Sequence, residues 1–472
     1  MDTKERKRDM NENQNGAFFD ARQLGIPKML LLGLQHMFAM FGATVLVPIL
    51  VQGYGLPLSI QTTLFFAGIG TLFFHVCTRM KVPAFLGSSF AYLGGFAAVA
   101  ALNSGKYAGM DAAEKLQYAV GGIVVAGLLY VVLAAIIKFV GVKKVMRFLP
   151  PVVTGPIIIL IGLNLAPSAV ANASSCWWLA ILSIAVIVAA NIWGKGMIKI
   201  IPILLGVVVP YIVAVIANLC GATVMNAAGE AVPLMSFEAA KAADILGFQP
   251  FITDFTGSIA KFDLTSILVM APIAIAAMME HIGDMSAISA TVGKNFIEDP
   301  GLHRTLIGDG IATSLAGLFG GPANTTYGEN TGVLVLSRVY DPKVVRLAAV
   351  YAVVLSFSPA FAALVNSIPT AIIGGVSFIL YGMISAIGVR NVVENRVDFT
   401  NSRNLIIAAV ILVCGLGFTG GITFAVGSAH VTLTGLAIAA IAGITLNAIL
   451  PGKDYVFGSD VTEGRSGDFG RY

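Results

Sequence analysis

The sequence feature that most constrains the fold is a series of apolar runs that recurs from residue 28 to residue 450. A membrane-spanning helix needs about 17–25 predominantly apolar residues, and these runs have that length. Charged residues form 11% of the 472 positions, roughly half the share of a soluble domain. Because lipid offers no partner to backbone N–H and C=O groups, such runs must fold as helices packed in a bundle. The chain is therefore predicted to be an all-α membrane protein.

Hydropathy, interrupted by Gly, Pro and charged residues, divides the chain into fourteen predicted transmembrane segments. Segments three and ten are the least like plain helices, because they are rich in Gly, Ser and Thr. The segments lie near residues 29–51, 59–77, 83–102, 117–137, 150–169, 175–193, 200–220, 264–290, 303–320, 322–337, 345–366, 369–389, 403–419 and 431–450.

The distribution of basic residues supports this topology. With the N-terminus in the cytoplasm, fourteen crossings place 25 of the 29 Lys and Arg residues on the cytoplasmic side; Lys106, Lys115, Lys241 and Lys261 are the others. A missed crossing would invert the bias for everything after it. We expect a multi-pass protein of the cytoplasmic (inner) membrane, with cytoplasmic tails at 1–27 and 451–472 and one transporter domain at 28–450.

Seven segments precede a long outer loop at 221–263 and seven follow it, which predicts two halves of inverted topology. Segments three and ten hold the same place in their halves, and both open on Pro-Ala, at Pro83 and Pro322. Proline followed by small hydroxyl residues favours a broken, partly extended element. Such backbone at membrane depth is tolerated where it lines a cavity. The alternative is that the small residues serve only close helix packing.

Ionisable residues inside predicted segments are few, and such residues usually mark a transport pathway. Segment eight carries Glu280 and Asp284, which share one helix face because they are four residues apart. Glu329 lies in segment ten and His36 in segment one. His75 and His281 are interpreted as structural, whereas Asp309 fits a pathway role and a helix contact between Gly308 and Gly310 equally well.

Enzyme, metal and cofactor motifs find no support in the sequence. Glu280-His281 is not an HExxH pair, and no GxSxG, P-loop or dinucleotide-binding fingerprint occurs. The four cysteines are scattered without a CxxC pair, so neither a disulfide framework nor a zinc site is predicted. We expect a secondary transporter without cofactor or metal, and no nucleic-acid partner.

Five motifs resemble the nucleobase–cation symporter (nucleobase–ascorbate transporter) family, in its uracil-permease branch. The likeness extends from about residue 25 to residue 450, and the last of the motifs is a specific signature. They read QHMFAMFGATVLVP (35–48), VPAFLGSSFAY (82–92), EHIGD (280–284), DPGLHR (299–304) and NTTYGENTGVLVLSR (324–338).

This resemblance implies a seven-plus-seven inverted repeat with two sets of spans. Spans 1–4 and 8–11 would form a core, and spans 5–7 and 12–14 a gate. Spans three and ten would each contain a short antiparallel strand, with the substrate lying between the two strands.

The resemblance also assigns site residues. Glu280 and Glu329 match the two substrate-binding carboxylates of the family, and His36 matches a histidine implicated in coupling. The remaining matches are to residues that meet or line the pocket: Phe90, Gly328, Tyr327 and Ala43. Uracil suits such a pocket, because its two ring N–H groups can donate to carboxylates and its carbonyl oxygens can accept from backbone N–H groups.

One position departs from the branch. Uracil carriers often have histidine four residues after the first glutamate, whereas this chain has Asp284, as in purine and xanthine carriers. Glu329 instead of glutamine favours uracil. Two carboxylates one turn apart are expected to titrate as a coupled pair, so Asp284 and Glu280 are candidate proton-coupling residues, and the resemblance adds His36.

The sequence therefore predicts proton-coupled uptake of uracil across the membrane. A xanthine or purine symporter of the same family is the first alternative. An anion exchanger or channel of the same fold is the second, although its site would need positive charge where this one offers carboxylates. The expected partners are the nucleobase, protons and the lipid bilayer, and a homodimer is left open.

Overall fold

A computed structural model describes residues 17–103, 105–225, 230–247, 260–426 and 429–452. Most of the predicted tails, 1–16 and 453–472, therefore lies outside the described residues. A helix occupies each predicted segment. The helices are α1 Ile26–Gly53, α2 Ile60–Cys77, α3 Leu93–Ala101, α4 Ala112–Val140, α5 Pro151–Ala173, α6 Trp177–Ile192, α7 Pro202–Leu219, α8 Ile273–Val292, α9 Leu302–Leu318, α10 Gly328–Ser337, α11 Pro342–Ser356, α12 Thr370–Glu394, α13 Ser402–Gly417 and α14 Gly435–Ile449.

Shorter elements connect or precede these helices. The short α-helices are Val142–Met146, Met197–Ile200, Glu238–Ala242, Leu264–Met270 and Pro359–Asn366; the 3₁₀ turns are Ala21–Leu24, Phe90–Tyr92 and Gly105–Tyr107; and a π-type turn spans Ile297–Gly301. The strands pair as three antiparallel ribbons: β1 Leu86–Ser88 with β4 Asn324–Thr326, β2 Thr223–Met225 with β3 Ala231–Pro233, and β5 Ile422–Val426 with β6 Ala429–Leu433.

Length and composition qualify part of this set as membrane spans. Within the described ranges, seven helices are long and apolar enough to cross a bilayer, counting Leu264–Val292 as one, and a bent pair adds an eighth. The chain is thus an integral membrane protein with many apolar helices. The count of fourteen crossings remains a prediction, because several of the corresponding helices are shorter than a full span.

Two predicted segments are interrupted at proline, and one of them is bent there. Segment eleven bends by 89° between α11 and the short helix Pro359–Asn366. In segment eight the helical hydrogen bonding is interrupted at Ala271 and Pro272, between Leu264–Met270 and α8, but both residues keep helical backbone angles. Proline has no N–H for the helical hydrogen bond and disfavours helical backbone in the residue before it. The sequence reading treated segment eleven as one continuous stretch, and the structure corrects it.

Segments three and ten contain the short strands that the resemblance implied. Strands β1 and β4 pair antiparallel, with Gly87 opposite Thr325 at the centre. Two further backbone bonds extend the ladder, from Ser89 N to the carbonyl of Ala323 at 2.8 Å and from Tyr327 N to that of Phe85 at 3.0 Å. The backbone of each broken segment is thereby paired deep inside the helical bundle, as the absence of water requires.

The helix–helix contacts follow a repeat of seven helices. Adding seven to each helix number, and continuing from α14 to α1, turns one observed contact into another. Helix α2 packs on α11 as α9 packs on α4, and α6 packs on α12 as α13 packs on α5. The pairs α2–α9, α5–α12 and β1–β4 each map onto themselves. A two-fold relation between the halves produces this pattern, so the internal repeat predicted from sequence is present in the fold.

Glycine packing does occur, and the contact between α5 and α12 is one of the places where it does. A Cβ at Gly162 would lie 2.2 Å from the carbonyl oxygen of Tyr381, and one at Gly388 would lie 2.6 Å from the backbone nitrogen of Ile159. Only glycine allows the two backbones to approach this closely, as in other membrane helix pairs. These two helices form one wall of the candidate site.

Candidate substrate site between the paired strands

Two buried threonines hold the strands in place. Thr71 Oγ1 on α2 accepts a hydrogen bond from Leu86 N at 2.8 Å and lies 3.2 Å from the carbonyl oxygen of Leu86. Thr313 Oγ1 on α9 accepts from Asn324 N and donates to the carbonyl of Asn324, both at 3.1 Å. Each hydroxyl thus serves the first residue of one strand. The two strands are fixed by equivalent contacts from repeat-related helices.

The register also corrects the sequence match by one residue. Because β1 and β4 are related by a two-fold axis through Gly87 and Thr325, Leu86 corresponds to Asn324. An alignment of the two halves on their Pro-Ala pairs would instead make Leu86 correspond to Thr325. With the structural register, Phe90 corresponds to Gly328, as the family resemblance implied.

Tyr327 closes the far side of the strand pair. Its ring lies over Gly87, where an added Cβ would come within 2.3 Å of two ring carbons. Its hydroxyl donates to the carbonyl of Ser88 at 2.8 Å. The Ser88 hydroxyl in turn donates to the carbonyl of Thr44 on α1 at 2.9 Å. These bonds fix the aromatic ring and tie α1 to both strands.

A cavity of about 30 Å³ lies where the strands end and helices begin. Its lining comes from the ends of both broken segments and from α5, α8, α10 and α12: Phe90, Ile158, Glu280, Asp284, Thr325, Thr326, Tyr327, Gly328, Glu329, Ile384 and Ile387. This volume holds one or two water molecules. A pyrimidine ring therefore requires the surrounding helices to separate slightly.

Three carboxylates face this cavity. Glu280 and Asp284 come from one face of α8, and Glu329 lies in the first turn of α10. Asp284 Oδ2 accepts a hydrogen bond from Thr326 Oγ1 at 2.8 Å. Glu280 Oε2 is buried and has no hydrogen-bond partner among the described residues. A buried carboxylate oxygen without a donor is suited to accept one from a ligand.

Backbone donors complete the polar surface. Gly328 and Glu329 are the first two residues of α10, and Phe90 opens the 3₁₀ turn after β1. The first N–H groups of a helix have no partner within it. The site therefore combines carboxylate acceptors with backbone donors, beside the ring of Phe90 and the aliphatic side chains of α5 and α12.

Two predicted residues do not line this cavity. Ala43 is fully buried in α1, next to Thr44. His36 is also fully buried, and Asn330 Nδ2 donates to its carbonyl at 3.0 Å and lies 3.2 Å from its Nδ1. Asn330 follows Glu329 in α10, so His36 is connected to the site through one side chain. The structure thus brings six of the eight predicted residues to the cavity wall: Glu280, Asp284, Glu329, Phe90, Gly328 and Tyr327.

Comparison with known families agrees with this architecture. The model of the Permease family matches residues 27–424, which covers all of the elements that build the cavity. The chain belongs to this family. The resemblance recognised from its motifs is confirmed, and the chain is a transporter of the permease type and not an enzyme.

Curated relatives cover nearly the whole chain. The "Uracil permease" of Bacillus caldolyticus is 41% identical over 437 residues, which are 91% of this chain and 93% of the relative. The "Uracil permease" of Bacillus subtilis (strain 168) is 39% identical over 431 residues, 89% and 91% of the two chains. The similarity therefore includes both halves of the repeat.

A solved structure shares the fold at low sequence identity. The transmembrane domain of a cyanobacterium bicarbonate transporter, BicA, superposes with a TM-score of 0.59 and 16% identity. The match covers 91% of this chain and 99% of that one. At this identity the likeness establishes the transporter fold alone.

Sequence reasoning missed the apolar wall of this permease's cavity. Ile158 of α5 and Ile384 and Ile387 of α12 line it. Tyr381, also on α12, places its ring edge-to-face with Phe90, with the centroids 5.9 Å apart. Isoleucines in a membrane helix carry no distinguishing signal, because such helices are apolar throughout. The conspicuous close-packing glycines of α5 and α12 were the one available hint.

The side chains of His281 and Asp309 lie in contact in the protein interior. His281 Nδ1 of α8 and Asp309 Oδ2 of α9 lie 2.7 Å apart, and neither side chain is exposed. His281 follows Glu280, but its side chain lies outside the cavity lining. The pair joins the two helices behind the site. Within the described residues, no three His, Cys, Asp or Glu side chains are grouped as metal ligands would be.

A second cavity, the inner vestibule, continues from the site. It has a volume of about 250 Å³ and shares Gly328, Glu329, Ile384 and Ile387 with the smaller cavity. Its other walls come from α1, from the start of α7 and from further residues of α6, α10 and α12, and Lys199 also lines it. The predicted topology places Lys199 in a cytoplasmic loop. The vestibule therefore leads from the carboxylates toward the predicted cytoplasmic side.

Proposed function

We propose that this permease takes up uracil across the cytoplasmic membrane together with protons. The observation that carries the proposal is the convergence of Glu280, Glu329 and two backbone-donor sites on one cavity between the strand ends. Uracil has two ring N–H donors and two carbonyl acceptors, and this site offers the complementary groups. The relatives named as uracil permeases support the same substrate.

We assign the roles of the helices in the same way. Helices α1–α4 and α8–α11 form the core that carries both strands and all three carboxylates. Helices α5–α7 and α12–α14 form the gate, which contributes only Ile158, Ile384 and Ile387 to the cavity. An apolar gate surface can slide past a polar core without breaking hydrogen bonds to the substrate. Relative motion of the two sets would expose the site alternately to each side.

The substrate is tested by uptake into proteoliposomes that contain the purified protein. Labelled uracil should be taken up, and unlabelled uracil should compete far better than xanthine or hypoxanthine. Stronger competition by xanthine would favour the purine alternative, which Asp284 suggests. Uptake of bicarbonate or another inorganic anion in place of uracil would support the anion-exchanger reading.

Coupling is assigned to the carboxylate pair Glu280 and Asp284, with His36 as the third candidate. Accumulation against a gradient requires a group whose protonation differs between the outward-open and inward-open states. Asp284 faces the cavity, and its Oδ2 accepts a hydrogen bond from Thr326 of β4. Substrate binding in the cavity can therefore alter the contact between Asp284 and the strand. Asp284→Asn keeps an oxygen to accept from Thr326 but cannot titrate.

We expect Asp284→Asn to abolish accumulation of uracil driven by a pH gradient while equilibrium binding and uracil exchange persist. The measurement compares net uptake with counterflow in the same vesicles. Full accumulation by the variant would exclude Asp284 from coupling. Wild-type uptake that follows a sodium gradient and ignores a pH gradient would exclude proton coupling altogether.

The proposed orientation has a direct test in a cysteine-free variant. Ser236→Cys lies in the loop between α7 and α8, and Ser402→Cys lies at the start of α13; both serines are exposed. An impermeant thiol reagent added to intact cells should label the first and spare the second. Labelling of the second position would contradict cytoplasmic placement of this loop and the count of fourteen crossings.

A further inference from the structure

A third cavity lies on the other side of α1 from the substrate pathway. This cavity, the α1–α7 groove, has a volume of about 370 Å³. It is lined by side chains of α1, α7, α11 and the short helix Pro359–Asn366: Met37, Phe38, Phe41, Leu204, Val207, Val208, Tyr211, Leu355, Phe361, Leu364, Val365 and Ile368. Every lining side chain is apolar except for the hydroxyl of Tyr211.

The break in segment eleven creates the groove. The 89° bend after α11 turns the short helix Pro359–Asn366 across the end of the cavity. The ring of Phe361 on this helix packs against that of Phe41 on α1, with centroids 5.4 Å apart. Tyr211 on α7 forms a hydrogen bond with Ser367 Oγ at 2.7 Å. The groove is therefore bounded by core helices on one wall and by the gate helix α7 on the other.

The groove opens onto the apolar outer surface of the helices. Its rim residues Val208 and Leu364 are 40% and 42% exposed, whereas Met37 and Phe41 at its floor are 4% and 8% exposed. Ile212 and Ile216 continue the exposed apolar face of α7 beyond the rim. In a membrane protein such a surface faces lipid, so the groove is a recess in the lipid-facing surface.

We propose that the α1–α7 groove binds one acyl chain of a membrane lipid. A nucleobase or another polar ligand would lose its hydrogen bonds to water there, because the only polar group of the lining is already bonded to Ser367. An apolar recess of this size also favours an occupant, since an empty one forfeits the dispersion contacts of its walls. Hydrocarbon chains are the apolar molecules present at that depth.

The position of the groove gives its occupant a role in transport. Phe38 and Leu204 line both the groove and the inner vestibule, so they form the partition between the lipid chain and the substrate pathway. Phe38 belongs to α1 of the core and Leu204 to α7 of the gate. A chain in the groove stands between two helices that must move relative to each other if the proposed core and gate assignment holds. It would act as a spacer whose exchange accompanies the transport cycle.

Photo-crosslinking tests the site without reference to transport. The full-length protein is reconstituted with phosphatidylcholine that carries a diazirine within one acyl chain, irradiated and analysed by peptide mass spectrometry. Adducts on the Met37 and Phe41 side chains themselves, located by fragmentation of their peptide, are expected, because a lipid that stays outside the groove does not reach these buried side chains. Adducts confined to the exposed face of α7 around Ile212 and Ile216 would overturn the proposal.

Two substitutions that fill the groove provide the specificity control. Val207→Trp on one wall and Leu364→Trp on the other should each reduce the Met37–Phe41 adducts at least fivefold, while Ile212→Trp on the exposed face leaves them unchanged. Elution as a single folded species by gel filtration qualifies each variant for the comparison. Undiminished adducts in both groove variants would overturn the proposal.

The transport consequence has its own readout. Val207→Trp replaces an exchangeable chain with a fixed indole and should slow uracil uptake severalfold with little change in equilibrium binding, whereas Ile212→Trp takes up uracil at the normal rate. Loss of the adducts with normal uptake would overturn the spacer role and leave the lipid site standing. If uracil is not the substrate, the crosslinking result is unaffected.

Discussion

The two broken segments have the same backbone arrangement but differ in their side chains. The β1 half, residues 83–101, and the β4 half, residues 322–337, each run from a buried strand into a helix, and each strand is held by a threonine of the preceding helix. The β1 half then presents Phe90 and Ala91 where the β4 half presents Gly328 and Glu329. The two segments therefore have the same strand-to-helix geometry. Their different side chains place an aromatic ring on one side of the cavity and a carboxylate on the other.

This difference would let a symmetric fold bind the asymmetric substrate that we propose. Uracil has no two-fold axis that would exchange its N–H and carbonyl groups, so equivalent halves could not satisfy it equally. The centres of the strands diverge as well. Gly87 leaves room for the ring of Tyr327, and its counterpart Thr325 carries a buried side chain that lines the cavity. Gly87 of the β1 half leaves a space, and the ring of Tyr327 from the β4 half fills it.

The largest expected effect comes from removing the carboxylate that only the β4 half has. Glu329→Gln replaces an acceptor by an amide whose N–H₂ can face a ring N–H of the base. Loss of a charged hydrogen bond and an unpaired donor should cost roughly 2–4 kcal/mol of binding free energy, which corresponds to about 30- to 700-fold in Kd. Equilibrium binding of labelled uracil to purified protein measures this.

Ala91→Ser, at the repeat-related position, is the matched control for Glu329→Gln. It should change the Kd less than about threefold, because Ala91 does not line the cavity. Near-normal binding by Glu329→Gln would remove Glu329 from the site and with it the proposed asymmetry between the halves.

The next effect concerns the centre of the strands. Gly87→Ala would place a methyl group 2.3 Å from ring carbons of Tyr327. Displacing this buried ring should destabilise the protein by about 1–3 kcal/mol, as overpacking of a core does. Thr325→Ala, its counterpart, removes atoms instead of adding them and should cost clearly less. Thermal unfolding in detergent compares the two, and a larger loss for Thr325→Ala would contradict this description of the strand centre.

Equal effects are expected where the halves are alike. Thr71→Val and Thr313→Val each remove a buried hydroxyl that serves one strand, and each variant leaves a backbone N–H without its partner. We expect each to lower the free energy of unfolding by about 1–2 kcal/mol, with the two values agreeing within measurement error. A cost confined to one of the two variants would show that the strands are not held equivalently.

The sequence predicted the symmetric features better than the asymmetric ones. Long apolar runs and charge bias revealed the helices and the repeat, because both follow from the bilayer as solvent. Glu280, Asp284 and Glu329 were predicted because a carboxylate in an apolar segment is rare. Ile158, Ile384 and Tyr381 were not, since apolar and aromatic residues in membrane helices are common and only the fold brings them to the cavity.

Two errors arose from local sequence similarity. The Pro-Ala match aligned the halves one residue out of register, because register depends on strand pairing and on the threonine contacts from distant helices. The 89° bend between α11 and the short helix that begins at Pro359 was also missed. Proline is common in membrane helices, and whether it breaks one depends on the neighbours that pair the freed backbone groups.

The most direct test of the proposed site combines carboxylate variants with uracil analogues that lack one ring N–H. Calorimetric titration gives the Kd of uracil, N1-methyluracil and N3-methyluracil for the wild type, Glu280→Gln and Glu329→Gln. If each carboxylate accepts one ring N–H, each methyl group weakens binding to the wild type at least tenfold. Each variant should then lose the penalty for one analogue and keep it for the other, which is the pairwise coupling that a double-mutant cycle isolates. Equal penalties for both analogues in all three proteins would show that neither carboxylate contacts the base.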